Sequence, residues 1–355
     1  MQPSSARILE IGDYYYCKDV YPERTTLLWT GWRAPPGLKR GDYSDCTPGR
    51  FYEAMNGLSA GHYDVLVTYL SQYSPWNPRN WLRTLVREPL HPVAALTRGF
   101  GVSWLSFARV RVPIVALDMS DAFPINMHNL PILDRAQVCF KRELPADRWH
   151  VFVGPGHPIF PSARMRRMRR WQTRVDKLRP LTLPVRVIDL PGLGPGDFPE
   201  KTTDVFCAVD AEANSFVRRR GIAELQSLAG RGITLDMPEH RLPFDEYRQR
   251  MASAWLTWSP AGMGWQCYRH GEAPQCLSVP VINRPTIERH WPLREGEHAL
   301  YYDVEPGSLT QAIEAALADK ERLKRVARAG REHVRAHHTQ RAIVDHVIEA
   351  ALAPV

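Results

Sequence analysis

The chain has no apolar run long enough to cross a membrane as a helix, which excludes an integral helical membrane protein. Cysteine is sparse. Cys17, Cys46, Cys139, Cys207, Cys267 and Cys276 are the six in 355 residues, and none falls in a Cys-x-x-Cys pair. That excludes a zinc ribbon or a thioredoxin-type redox motif. It reads as reduced thiols, mostly filling cores, in a cytosolic protein. The first ten residues lack the apolar segment of a secretory signal and run straight into a strand-like stretch at 7–12, which agrees with a cytoplasmic location. No Walker loop, Asp-x-Asp pair, solenoid repeat or low-complexity tract appears. No His, Cys, Asp and Glu cluster has ligand spacing, and His337 and His338 are adjacent, so they point apart on a helix. No metal and no resident cofactor is expected. Acidic residues are in deficit, with 38 Asp and Glu against 46 Lys and Arg and a net charge of +8. A basic surface suits anionic partners, such as nucleotide diphosphates, lipid phosphates, acidic glycans or nucleic acid, without choosing among them.

What is present is a globular composition, 44% hydrophobic and 24% charged, in a chain of comfortable length for two domains. In the N-terminal half, 7–12, 63–69, 112–117 and 137–140 read as strands and 51–60 as a helix, while 71–83 reads as loop. The stretch that opens on Arg164 and closes on Arg174 carries six arginines, with Met165, Met168 and Trp171 at helical spacing. It reads as a basic helix able to touch an anionic membrane, or more plainly as one packed by its Met and Trp residues. Pro and Gly concentrate in 184–199, and a linker is placed at 191–200.

Beyond it strands and helices alternate. Strands are expected at 205–209, 233–237, 255–258, 279–283 and 299–303. Helices are expected at 215–228, 244–254, from about 265, and at 308–317, 320–336 and 340–352. Alternation of this kind implies parallel strands joined by right-handed crossovers, hence a Rossmann-like sheet. In such sheets ligands sit beyond the carboxyl ends of the strands.

One loop carries the chemistry. Ser259-Pro-Ala-Gly262-Met-Gly264-Trp-Gln-Cys-Tyr-Arg269-His270-Gly271-Glu272-Ala273 follows a strand and enters a helix. Glycines let backbone approach a phosphate closely, and a helix N-terminus offers free N–H groups. Arg269 and His270 could hydrogen-bond a diphosphate, and the Glu272 carboxylate suits ribose or sugar hydroxyls. Taken alone, the same residues also describe a tight turn followed by a surface Arg/Glu pair.

The order of these features, with Val279-Pro-Val-Ile282 downstream, resembles the donor-site signature of GT-B glycosyltransferases. It is most similar to the "glycosyl transferases group 1" kind and its spore-maturation-protein-like branch. The run from Pro292 to Asp303, the Gly330-Arg-Glu-His-Val stretch and His338-Thr339 resemble that group's last strand and terminal helices. The resemblance covers 205–352. It implies an α/β protein of two Rossmann-like domains, with 1–190 on the acceptor side, 201–339 binding a nucleotide-diphospho-sugar, and a C-terminal helix at 340–355 returning to the first domain. Donor contacts are implied at Ser259, Gly262, Gly264, Arg269, His270, Glu272 and Ala273. They are also implied at Arg218 or Arg219, the two of three adjacent arginines (218–220) favoured to reach the donor. Retaining members carry two glutamates separated by seven residues. Glu272 fits the second, and the first falls on Gly264, so inversion is favoured.

An inverting transferase needs a base for the acceptor hydroxyl. Asp118 or Asp121, following a strand, suits that role, and either could instead cap a turn. His128 and His157 are the alternatives. Lys141 and Arg142 end the next strand and face the same crevice. The reading is a metal-independent transfer from a nucleotide sugar to a glycan, lipid-linked or protein acceptor. Its rivals are a sugar transferase acting on nucleic acid and a non-catalytic sugar-nucleotide-binding protein of the same fold.

Overall fold

The computed structural model describes residues 5–31, 33–71, 82, 86, 105, 110–154, 166–167, 169–194, 196–209 and 215–353. The chain divides into two compact units. The first is Met1–Leu181 with Ile343–Val355, and the second is Thr182–Ala342.

The first unit is built on a parallel sheet. Its strands are β1 (Ile8–Gly12), β2 (Thr25–Trp29), β3 (Ser44–Asp45), β4 (Val65–Tyr69), β5 (Ile114–Asp118), β6 (Val138–Lys141) and β9 (Leu178–Pro180). They lie in the order β3-β2-β1-β4-β5-β6-β9, every neighbouring pair parallel. β1, β4, β5 and β6 are buried along their whole length. That is why they read in sequence as apolar runs rather than alternating ones. Helices α1 (Tyr16–Val20), α2 (Pro48–Ser59) and α3 (Ile132–Arg135) accompany them. α2 is capped by Thr47, whose hydroxyl accepts from Arg50 N–H.

Residues 166–167 depart from the expected helix. Arg166–Arg167 form strand β8, antiparallel to β7 (Val153–Gly154), and a 3-10 helix follows at Arg169–Lys177. Trp171 and Val175 pack against the core, Arg169 and Arg170 are exposed, and Arg174 pairs with Asp134 at 2.8 Å. Apolar residues three apart do not distinguish an α-helix from a 3-10 turn. In place of the expected amphipathic α-helix stands a 3-10 element anchored through Trp171 and Val175. Residues 164, 165 and 168, most of 71–83, and His157 lie outside the described residues.

The second unit holds β10 (Thr203–Phe206), β11 (Leu235–Asp236), β12 (Ala254–Trp258), β13 (Val279–Asn283) and β14 (Leu300–Tyr302), all parallel in the order β11-β10-β12-β13-β14. Its helices are α4 (Phe216–Ala229), α5 (Phe244–Ala252), α6 (Arg269–Gln275), α7 (Ser308–Leu317) and α8 (Lys320–His337). Ser215 caps α4 as its sequence suggested, accepting from Arg218 N–H. Gly221 lets α4 press onto the sheet, because a Cβ there would stand 2.1 Å from Trp258 Cζ2.

The Pro/Gly stretch expected as a linker at 191–200 lies inside this second unit. The residues just before it are packed: Ile188 and Leu190 are buried beside Phe206 and Met251. Their segment is strapped to α6 by a buried glutamine. Ile188 N–H donates to Gln275 Oε1 at 2.7 Å, and Gln275 Nε2 donates to Arg186 O at 2.9 Å.

The last helix, α9 (Gln340–Leu352), matches its expected bounds. From Ile343 it belongs to the first unit. Asp345 accepts from Tyr21 Oη, Gln137 Nε2 donates to Ala353 O at 2.9 Å, and the His346 ring packs edge-on to Phe140. No described helix is long and apolar enough to cross a membrane.

Candidate functional site

The second unit has a strand order that reverses between β10 and β12, and a sheet of this kind takes ligands beyond the strand ends at such a point. A cavity of about 1030 Å³ lies there. Its walls include Cys207–Val209 after β10, the 237–242 loop after β11, Phe244 and Tyr247 of α5, and Cys267, Arg269 and Glu272. That volume suits a ligand of nucleotide-sugar size.

Helix α6 starts at Arg269, four residues later than the expected 265, and spans only seven residues. Its first amides are not free. His270 N–H donates to Cys267 O, and the Gly271 and Glu272 N–H groups both donate to Tyr268 O. The glycine loop is also committed. Gly262 N–H donates to Gly264 O at 2.9 Å, and Ala261 N–H to Asn283 Oδ1 at 2.7 Å. The phosphate cradle of free amides expected from the sequence is thus taken up by internal bonds at these positions.

The anion-seeking group is the side chain of Arg269. Nη1 donates to Ala208 O at 2.9 Å, while Nε and Nη2 are buried and have no partner among the described residues. Buried donors left unpaired cost about 1–3 kcal/mol each. Arg269 lines the cavity, so an anion entering it would satisfy them.

Glu272 faces the same cavity. Its Oε2 accepts from Tyr247 Oη at 3.0 Å. Burial pushes its carboxyl above the ordinary value, against the Tyr247 hydrogen bond and the Arg269 charge, which hold it down. Arg269 and Glu272 do not pair with each other. The alternative of a simple surface Arg/Glu pair is therefore not the arrangement found.

The other expected donor residues divide. Ser259 is fully buried, and its Oγ has no partner. His270 is turned away from the cavity, its Nε2 bonded to Ser259 O at 3.0 Å and its ring against Trp265 at 4.7 Å. Ala273 is buried in a core cluster with Phe206 and Met251. Gly264 is buried in the loop turn, where a retaining enzyme would need room for a carboxylate. Arg218 lies against Gly262, where a Cβ would stand 2.6 Å from Nη2, and its Nε donates to Ala261 O at 3.2 Å. Arg219 is exposed, and Arg220 stands 3.8 Å from Glu224.

In the first unit the strand order reverses between β1 and β4. Asp118 is 4% exposed, its Oδ2 2.7 Å from Lys141 Nζ and its Oδ1 accepting from Ser120 N–H. Lys141 also donates to Ala122 O at 2.7 Å. Asp121 pairs with Arg142 at 2.7 Å and keeps 27% of its side chain exposed. These four residues come together, but as ion pairs. His128 Nε2 is bonded to Ser71 O at 3.0 Å, and burial lowers its imidazole.

Two acidic residues near the β1/β4 reversal were missed. Asp13, the residue after β1, presents surface to solvent, while desolvation of its carboxyl raises it above the ordinary value against a hydrogen bond from its own backbone N–H. The strand-end rule that singled out Asp118 applies to it equally. Glu10, inside β1, is fully buried. It accepts from Tyr69 Oη at 2.6 Å, Cys17 N–H at 2.9 Å and Lys18 N–H at 2.8 Å. A carboxylate within an apolar strand gives no sequence signal of its partners.

The two parallel α/β sheets define the GT-B fold, and solved structures share it across nearly the whole chain. Sucrose-phosphate synthase from Thermosynechococcus elongatus is 12% identical, with a TM-score of 0.52 over 95% of this chain and 96% of that one. HepE of Anabaena, solved in complex with UDP, is 12% identical, with a TM-score of 0.51 over 97% and 98%. An α-glucosyltransferase solved with UDP and a 13-mer DNA is 10% identical, with a TM-score of 0.53 over 94% and 96%. No protein-family profile and no curated protein matches the chain in sequence.

Proposed function

We propose that the protein is a glycosyltransferase that takes its sugar from a nucleoside-diphosphate donor bound in the second unit. The observation that carries this reading is Arg269, a buried guanidinium with two unpaired donors on the wall of a nucleotide-sized cavity beyond β10 and β11. A diphosphate would accept from Nε and Nη2. As the sugar leaves, the growing negative charge on the departing nucleotide would be held by the same group, fixed in advance. Arg269 would then serve in place of a metal. Fold neighbours solved with UDP, HepE and the α-glucosyltransferase, support a uridine donor.

The acceptor, a glycan, lipid-linked or protein hydroxyl, is assigned to the first unit. With Gly264 where the first glutamate of a retaining pair would stand, inversion is the favoured course, and it needs a base. Asp118 is enclosed by Lys141 and Ser120, so the accessible carboxylates, Asp121 and Asp13, fit the role better.

Titration calorimetry with UDP, GDP and ADP tests the donor site. A nucleoside diphosphate should bind wild type and bind Arg269→Met far more weakly. If none of the three binds wild type, the donor reading falls. For the base, Asp121→Asn and Asp13→Asn should both spare donor binding, and one should abolish transfer. A steep fall of acceptor affinity with salt would instead favour a nucleic-acid acceptor.

A further inference from the structure

Cys267 is the one cysteine of the six that is not buried; Cys17, Cys46, Cys139, Cys207 and Cys276 are enclosed. It sits in the turn before α6, where its carbonyl accepts from His270 N–H at 3.0 Å, and it lines the nucleotide-sized cavity. Arg269 stands two residues on, on the same wall. After burial, the Cys267 thiol is the first of the groups acting on that guanidinium, ahead of Tyr247, Glu272 and Cys207. An accessible thiol alone would mean little. Arg269 supplies an independent observation, because its Nε and Nη2 are buried at the cavity with no partner among the described residues. An open thiol thus lies beside a group built to hold an anion.

Thiol–disulfide exchange depends on access to the attacking thiol and on which sulfur is presented to it. We propose that Cys267 is a modification site, a thiol that exchanges with a small anionic disulfide of the glutathione type whose carboxylate is held by Arg269, and that the mixed disulfide closes the cavity to nucleotide. The Cys267 thiolate, its proton given to solvent, attacks one sulfur of the disulfide. A new S–S bond forms to that sulfur as the old one breaks, and the other half leaves as a thiolate. The disulfide is itself the oxidant, and a dithiol reverses the exchange. Glu239 and Glu272 also line the cavity. The preference for an anion therefore comes from the two free donors of Arg269, which suit a carboxylate, and not from a uniformly positive wall. The attached tripeptide would take the space and the donors that a diphosphate needs.

The modification itself stands apart from the donor-site reading, while its effect on nucleotide rests on that reading. The experiment treats the full chain at about pH 8, where thiols exchange readily, with glutathione disulfide or with neutral hydroxyethyl disulfide. Peptide mass spectrometry locates the modified residue, and calorimetry follows UDP binding. Wild type should take up a single glutathione, on Cys267. The modified protein should bind UDP at least about tenfold more weakly and recover with dithiothreitol. UDP at about ten times its Kd should slow the uptake about tenfold by mass action. Arg269→Met should react with glutathione disulfide about tenfold more slowly at low salt and with the neutral reagent at the wild-type rate. Cys267→Ser should take up no glutathione, and treatment should not change its UDP binding. If that variant fails to fold, the peptide map of wild type decides the position.

Uptake at another cysteine, or no uptake, overturns the inference. So does an Arg269→Met variant that slows both reagents alike, or a modified wild type that binds UDP as before. If unmodified wild type binds no UDP, the donor reading falls, while uptake at Cys267 and its dependence on Arg269 still decide the modification site.

Discussion

Asp118 and Lys141 are register partners on adjacent strands, and their side chains meet at 2.7 Å with almost no exposure of either. Neighbours in parallel register project to the same face of a sheet, so the pairing follows from the fold. Removing one partner of a buried pair strands the other charge, at a cost of about 3–5 kcal/mol. Lys141→Met should lose stability on that scale in urea unfolding. Asp121→Asn breaks a pair that is 27% exposed on the Asp side, and should cost no more than about 1 kcal/mol. Equal, small effects would mean that Asp118 is not held as described. Loss of transfer in an Asp118 variant would also have to be weighed against this damage before being read as chemistry.

Glu10 makes stability depend on pH. Burial raises its carboxyl from 4.5 to about 7, against the hydrogen bonds from Tyr69, Cys17 and Lys18 that hold it down. The folded state thus binds a proton that the unfolded chain has released between about pH 4.5 and 7. The stabilisation is complete below that window and is lost as pH rises through the folded value. Relative to Glu10→Gln, wild type should lose about 3 kcal/mol across it. Denaturant midpoints of both proteins at pH 4.5, 6 and 8 measure the difference. A gap between them that does not change with pH would place the folded carboxyl near its ordinary value.

The second unit was legible in sequence because its strands and helices alternate cleanly. 279–283, 308–317 and 340–352 were placed to the residue. The first unit was less so. β3 is only two residues long and β9 only three, too short to show a period. Within the site, Arg269 and Glu272 were visible as residue types after a glycine loop. What could not be seen was the turn at Cys267–Tyr268, which consumes the amides and delays the helix. The partner of Glu272 was equally hidden, because Tyr247 lies 25 residues upstream in sequence and only the sheet brings α5 to α6.

Two glycines should respond differently to a methyl group. At Gly221 a Cβ would meet the Trp258 ring at 2.1 Å, and that indole is fully buried with its Nε1 donating to Tyr302 Oη. Neither side can move without disturbing the core, so Gly221→Ala should cost about 1–3 kcal/mol or more. At Gly262 the nearest atom is Arg218 Nη2 at 2.6 Å, the end of a long side chain. Gly262→Ala should change thermal stability little while displacing Arg218. If the two variants unfold at the same temperature, the close packing of α4 on β12 is not as described.

Arg269 separates a binding residue from a structural one. A guanidinium that holds the fold together leaves its partners unsatisfied when removed, and the protein weakens. Here one donor, Nη1, serves a backbone carbonyl, while Nε and Nη2 are buried without partners. Taking away unpaired buried donors removes a cost as well as a contact. Arg269→Met keeps the aliphatic volume, so its thermal midpoint without ligand should match or exceed that of wild type. Its affinity for a nucleoside diphosphate should fall about 100-fold, because hydrogen bonds to charged groups contribute about 1.5–3 kcal/mol each. A ligand of the native state raises apparent stability by mass action. One thermal-shift series with and without UDP therefore reads both quantities. Wild type should gain several degrees from the nucleotide and Arg269→Met almost none. A variant that melts early yet keeps the full nucleotide shift would make Arg269 a structural residue and move the diphosphate elsewhere.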